Sequence, residues 1–164
     1  MKKIILFTSS LSYGGAEHQM YNIFKILREE YDSKIVVARN SIFKENGILV
    51  LNKKKTLGAS FTFFKILVNE KPDIIMSTLP IPNLISSIAK IFLKKKPIVI
   101  NREANYNLDS KLNKFLFLTS SRFSDLHFFN SKKVLENYSY KYKKISRKFV
   151  KINNILDDKT LEYL

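Results

Sequence analysis

Short apolar runs rich in β-branched residues alternate with amphipathic stretches of helical length, and that alternation limits the fold of this chain more than any other feature. Lys3–Ser9 is the first run, ending in small polar residues, as a strand buried on both faces of a parallel sheet reads. After a Gly-Gly turn, Ala16–Glu30 carries Met20, Ile23, Phe24 and Leu27 at helical spacing with polar residues between them. Lys34–Ala38 and the short Ile48–Leu51 read as the next two strands. Phe61–Val68 is an amphipathic helix that Lys71-Pro72-Asp73 stops ahead of the strand Ile74–Met76. Asn83–Leu93 is an apolar helix, and Lys94-Lys95-Lys96-Pro97 leads into the strand Ile98–Ile100. Ser110–Ser120 is a further helix and Asp125–Asn130 a strand. Ser131–Asn137 is a helix with Ser131 as its N-cap, and Lys148–Ile152 is the last strand.

Strands that alternate with helices of about 10–15 residues imply βαβ units and a parallel sheet of about seven strands. Right-handed crossovers then put helices on both faces. The expectation is one Rossmann-like α/β domain over residues 1–152, with 153–164 turning polar and acidic as the start of an interdomain connector. A length of 164 residues suits one well-buried domain, and only four glycines and four prolines argue against a turn-rich all-β fold. With no cysteine, disulfides and thiolate metal sites are excluded, and His18 and His127 alone make a zinc site unexpected. The opening Lys2-Lys3-Ile4-Ile5-Leu6-Phe7 is too short for the roughly 7–15-residue core of a secretion signal. No run approaches the ~18–20 apolar residues of a membrane span. A cytoplasmic protein is expected, with any membrane contact peripheral, on the inner face of the plasma membrane.

Charge narrows the partners. A balance of 29 Lys+Arg against 14 Asp+Glu gives a formal net charge of +15, which favours nucleic acid, acidic lipid surfaces or phosphorylated small molecules. Solvated surface lysines are the competing account. In open parallel sheets, ligands bind beyond the carboxyl ends of the strands. The first such segment is Ser9-Ser10-Leu11-Ser12-Tyr13-Gly14-Gly15-Ala16-Glu17. Two glycines at a helix start let a ligand approach the backbone, and the free amides favour an anion there. A tight turn without a ligand also fits. G-x-G-x-x-G and G-K-[ST] are both absent, so Arg39 after the second strand gives only a weak NADP-dehydrogenase match. Glu17 suits the helix dipole, and His18 reads as a helix surface residue without an identifiable carboxylate partner.

Four segments in register carry a resemblance. They are Lys3-Ile4-Ile5-Leu6-Phe7 followed by Gly14-Gly15-Ala16-Glu17, then Lys71-Pro72-Asp73-Ile74-Ile75, then Asp125 with Asn130-Ser131, then Lys151-Ile152-Asn153-Asn154-Ile155-Leu156-Asp157. Together they resemble the N-terminal domain of glycosyltransferase family 4. The resemblance implies half of a GT-B fold, in which two Rossmann-like domains face each other across the active-site cleft. The N-terminal half mainly binds the acceptor. The C-terminal half carries most nucleotide-sugar contacts and a paired-glutamate motif, for which this chain has no suitable Glu pair. The family transfers sugar with retention and without a metal, so no cofactor is implied beyond the nucleotide-sugar co-substrate. Gly14 and Gly15 then match the turn that approaches the donor phosphates, and Ser12 and Tyr13 are acceptor-contact candidates.

The segment after the fifth strand reads Asn101-Arg102-Glu103-Ala104-Asn105, where many family members have a histidine. Arg102 is a candidate phosphate or carboxylate clamp. Glu103 is a candidate acceptor of a hydroxyl proton. Arg102 and Asn105 are also candidate acceptor contacts. An Arg–Glu surface pair of little consequence is the competing reading. Lys141, Lys143, Lys144, Arg147 and Lys148, interleaved with tyrosines and extended by Lys151, are candidates for an anionic membrane surface. RNA or a solvated loop would also account for them. Phe61, Phe63 and Phe64 near Lys53-Lys54-Lys55 offer a second contact, although core packing explains them too. Three functions are consistent with these residues. The first is the acceptor half of a retaining transferase for a surface polysaccharide or lipid-linked glycan, inactive without its donor half. The second is a non-catalytic acceptor-binding or membrane-docking subunit of a split transferase. The third is a basic nucleic-acid binder.

Overall fold

The computed structural model describes residues 1–12, 14–104 and 110–155. In chain order its elements are β1 (Lys3–Thr8), α1 (Gly15–Glu30), β2 (Asp32–Val37), β3 (Ile48–Val50), α2 (Ser60–Glu70), β4 (Ile74–Thr78) and α3 (Pro80–Phe92), followed by β5 (Ile98–Glu103), α4 (Lys111–Phe123), β6 (Leu126–Phe129), α5 (Lys132–Lys141) and β7 (Phe149–Lys151). Short 3-10 turns occupy Thr56–Ala59 and Lys143–Lys148. The strands form one 7-stranded sheet in the order β3-β2-β1-β4-β5-β6-β7, parallel at every pairing. Strand order reverses between β1 and β4, which makes their carboxyl ends the topological switch point where such sheets bind ligands.

Alternation along β1 separates two cores. Ile5 and Phe7 pack with Phe63 and Leu67 of α2 and Ile85 and Ala89 of α3. Ile4 and Leu6 pack with Met20, Tyr21 and Phe24 of α1. A side chain on one strand therefore meets one helical layer or the other according to parity. Phe7 stacks on Phe63 with ring centroids 3.9 Å apart. Phe117 of α4, Phe129 of β6 and Tyr138 and Tyr142 at α5 close a third cluster. Gly47 enters β3 at φ 91, and a Cβ there would lie 2.9 Å from Cζ of Phe24, so both backbone and packing require glycine.

The end of the sheet opposite the switch point is tied by a repeated device. Asp73, just before β4, accepts the backbone amide of Lys3 at 2.7 Å and the Lys95 ammonium at 2.6 Å. Asp125, just before β6, accepts the amide of Val99 at 2.7 Å and the Lys90 ammonium at 2.5 Å. Glu70 bridges Lys3 at 2.8 Å and Lys34 at 2.5 Å. Its carboxyl is held below the usual range first by the bond from Lys3, then by that from Lys34.

Several element ends differ from the sequence reading. The third and last strands are shorter than expected, and α3 begins at Pro80 rather than Asn83. Pro80 and Pro82 fit a first helical turn, where a missing amide costs nothing. Lys71 takes φ 49 and ends α2 in a left-handed turn before Pro72. Ser131 stands at the N-cap of α5 without a side-chain bond to the helix, whereas Ser110 caps α4 by accepting the Asn113 amide at 3.4 Å. The largest difference is β5. Asn101, Arg102 and Glu103 are its last three residues rather than a loop, because their polar side chains find partners in the helical layers.

Candidate functional site

Everything at the switch point hangs on the loop between β1 and α1. Gly14 is the N-cap of α1, with no side-chain cap bond, and its carbonyl accepts the amides of Glu17 at 3.0 Å and His18 at 2.9 Å. Helix geometry leaves the first amides, those of Gly15 and Ala16, facing outward with the positive end of the dipole. A Cβ on Gly15 would meet no described residue within 4 Å, and one on Gly14 would sit 3.2 Å from Oε2 of Glu17. The fold itself therefore has no steric need for glycine at 15.

Glu17 does more than complement the dipole. Its carboxylate accepts the hydroxyls of both Ser10 and Ser12, and Arg39 donates to Ser10 Oγ at 3.0 Å. This brace fixes the loop against the end of β2 and gives Arg39, Ser12 and Glu17 a shared structural task. His18 lies half-buried with its ring 6.3 Å from that of Tyr21 and 6.2 Å from that of Phe43. Tyr13 and Asn105, both named from the sequence, lie outside the described residues.

Arg102 and Glu103 are neither exposed nor paired with each other among the described residues. Parity sends them to opposite faces of the sheet. Arg102 turns toward α1 and is 2% exposed. It donates to the Ala16 carbonyl at 3.4 Å, to Thr78 Oγ1 at 3.4 Å and to Asn154 Oδ1 at 3.3 Å. These are long bonds to neutral acceptors, and no carboxylate among the described residues joins them. Burial lowers the proton affinity of the guanidinium below that of an ordinary arginine. A buried cation without a counter-ion costs several kcal/mol, and here it lies directly behind the first turn of α1.

Glu103 turns toward α3 and α4. It accepts His127 Nδ1 at 2.8 Å and Asn83 Nδ2 at 3.3 Å, while His127 Nε2 meets Ser124 Oγ at 2.8 Å. Asn101, on the same face, accepts Ser77 Oγ at 3.1 Å and donates to Ser87 Oγ at 3.1 Å. Ser124, His127 and Asn83 are all buried, so this polar belt locks α3, β5 and β6 together. Sequence reasoning gave His127 no role. Its only signal was a lone histidine inside an apolar strand.

Two further features escaped the sequence. Leu79, between β4 and α3, takes φ 78 and ψ 150, a region that side chains other than glycine rarely adopt. Strain of this kind costs on the order of 1–3 kcal/mol and collects at functional sites. The segment leaving β7 also returns to the site. Gln19 of α1 donates to the Ile155 carbonyl and accepts its amide, both at 2.8 Å. With Arg102 on Asn154, the segment is pinned across the mouth of the switch point.

The basic residues after α5 lie elsewhere. Lys141, Lys143, Lys144 and Arg147 are exposed. Lys148 is half-buried and donates to the carbonyls of Ser121 at 2.8 Å and Ser124 at 2.7 Å. It thus caps the negative end of α4 instead of facing outward. Burial lowers its pKa. No group of three or more His, Asp or Glu side chains among the described residues is placed to hold a metal. No described helix is long and apolar enough to cross a membrane.

No protein-family model matches the chain, and no curated protein matches it in sequence. Solved structures do. Anabaena Alr3699/HepE, crystallised with UDP, superposes at TM-score 0.75 and 17% identity over 96% of this chain and 45% of its own. The lipopolysaccharide outer core galactosyltransferase WaaB gives TM-score 0.67 and 15% identity over 94% of this chain and 46% of its own. A UDP-N-acetylglucosamine 2-epimerase from Rickettsia bellii gives 0.69 and 14% over 94% and 45%. The chain thus spans a little under half the length of each. Seven parallel strands between helical layers, with the switch point at β1 and β4, give this domain a Rossmann-like fold that matches one half of these GT-B structures.

Proposed function

We propose that this domain is the acceptor-side half of a retaining, metal-independent glycosyltransferase of the family 4 type. It would serve a surface polysaccharide or lipid-linked glycan and act only with a donor-side domain across the cleft. The observation that carries the reading is Arg102, sealed from solvent, bonded to no carboxylate among the described residues and set behind an α1 N-terminus where no described residue crowds Gly15. A leaving diphosphate is the anion such a place suits, since fixed positive charge and aligned amides stabilise charge that grows in the transition state. Gly14 and Gly15 would give the phosphates access, and Arg102 would supply potential from behind. The fold neighbours include UDP-GlcNAc 2-epimerases as well as transferases. The Gly-Gly-Ala-Glu turn, with Glu17 bracing Ser10 and Ser12, favours the transferase reading.

Glu103 accepts His127 and Asn83 on one oxygen, Oε1, and keeps Oε2 for its candidate role of accepting a hydroxyl proton. Pyrophosphate titrated into the 15N-labelled chain is expected to shift the amides of Gly14, Gly15 and Ala16, and Arg102→Leu is expected to abolish that response. Shifts confined to the surface lysines would sink the assignment. The purified chain alone is expected to transfer no sugar from UDP-sugars, and measurable turnover would refute the acceptor-half reading.

A further inference from the structure

The outward side of α2 and α3 is apolar where a solvent-facing helical layer is ordinarily polar. Between the two helices runs a groove of about 380 Å³, lined by Leu57, Phe61, Phe64, Leu84, Ile88 and Phe92. Phe61 and Phe92 are each 69% exposed and Leu57 63%. Core packing accounts for Phe63, which is fully buried against Phe7, but not for these three. The next helix in the layer continues the pattern, with Leu112 and Phe115 of α4 each 63% exposed and each preceded by a lysine, Lys111 and Lys114.

Lysines bracket the groove at both ends. Lys53-Lys54-Lys55 enters the turn that carries Leu57, and Lys94-Lys95-Lys96 leaves the helix that ends in Phe92. Lys65 stands 4.6 Å over the ring of Phe61. No lining residue is acidic, and Asp73, beside one end, is already engaged by Lys95 at 2.6 Å. Exposed aromatic rings with a cationic rim match the two layers of a lipid interface. Rings enter at the acyl boundary while ammonium groups reach the headgroup phosphates.

We propose that this α2–α3 face docks the protein on an anionic lipid bilayer. The basic segment 141–148 is the weaker surface for that purpose. Fewer large apolar residues are exposed beside it, Tyr140, Val150 and Ile152, and Lys148 is engaged by the α4 carbonyls as Lys96 is by those of α3. The geometry also has a direction. Lys53 donates its amide to the Ala38 carbonyl just past β2, at the same end of the sheet as the Gly14–Gly15 turn. A bilayer against this face would lie beside the open end of the switch point. The inference stands on the groove and its lysines, and holds whether or not the transferase reading does.

The chain contains no tryptophan, so Phe61→Trp or Phe92→Trp installs a sole reporter. On phosphatidylcholine vesicles containing phosphatidylglycerol, its emission is expected to shift to the blue and to be quenched by brominated lipid. Pure phosphatidylcholine and high salt are expected to weaken both effects. In co-sedimentation with the same vesicles, the double variant Phe61→Ser/Phe92→Ser is expected to lower the partition coefficient about tenfold or more. Lys143→Glu/Lys144→Glu is expected to change it less than about twofold, since charges outside the docked face contribute little. Thermal melts check that both variants remain folded. The proposal is overturned by unshifted emission on anionic vesicles, or by binding that depends on Lys143 and Lys144 but not on the phenylalanines. It is equally overturned by a self-dimer that the serine variant dissolves while wild type ignores vesicles.

Discussion

Arg102 looks toward α1 and Glu103 toward α3 and α4, and the two sides of the sheet treat their charges differently. Glu103 is matched by His127 and Asn83, with Ser124 closing the chain behind the histidine. Arg102, one residue earlier and also buried, has among the described residues only long bonds to a carbonyl, a hydroxyl and an amide oxygen. A buried polar group paired with its neighbours holds architecture together. An unmatched charge at a ligand-binding end is a cost that architecture alone does not repay.

That comparison can be broken by unfolding measurements. Glu103→Ala is expected to lose about 3 kcal/mol in urea melts, because it strands the His127 and Asn83 donors in the interior. Arg102→Leu is expected to stay within about 1 kcal/mol of wild type, since an apolar side chain removes a buried charge that has no counter-ion among the described residues. A loss of several kcal/mol in Arg102→Leu would make the arginine structural and remove the case for an anion. The glycines sharpen the same contrast between fold and site. Gly47→Ala is expected to cost about 2 kcal/mol, because φ 91 and the Phe24 ring both oppose a Cβ. Gly15→Ala is expected to leave stability within about 0.5 kcal/mol, since its surroundings are open. If Gly15→Ala proved as damaging as Gly47→Ala, the turn would be a packing device.

The smallest expected effect lies at the far end of the sheet. The Glu70 pKa is depressed in the folded state by Lys3 and Lys34. Its contribution is therefore fully present above the unfolded value near 4.5 and is lost as pH falls through the lower folded value. Glu70→Gln is expected to remove that acid-limb dependence with a change on the order of 1 kcal/mol or less. An unchanged slope of stability against pH between wild type and variant would show that the bridge contributes nothing.

Two of the family-like segments turn out to serve the fold at the end remote from the cleft. Asp73 and Asp125 each hold an amide at the start of a neighbouring strand and a lysine. Those two segments thus serve the starts of the strands and lie away from the switch point. Glu17 is read as a dipole partner from sequence and is in fact the brace of the β1–α1 loop. Phe61 and Phe63 look alike in the chain, yet one stacks in the core and the other faces water. Helix phase decides between them.

By itself the sequence determined the order of strands and helices, the parallel sheet and the glycine turn at the head of α1. Those follow from local apolar periodicity and from glycine's lack of a side chain, both visible in one dimension. Only the tertiary structure decided that Asn101, Arg102 and Glu103 are strand residues sent to opposite layers. Their polarity hides the strand, and their partners (Ser77, Ser87, His127, Asn83, Ala16 and Asn154) come from distant parts of the chain. It also decided which lysines face outward and which cap a helix, because charge is read from composition but its neighbours are set by packing.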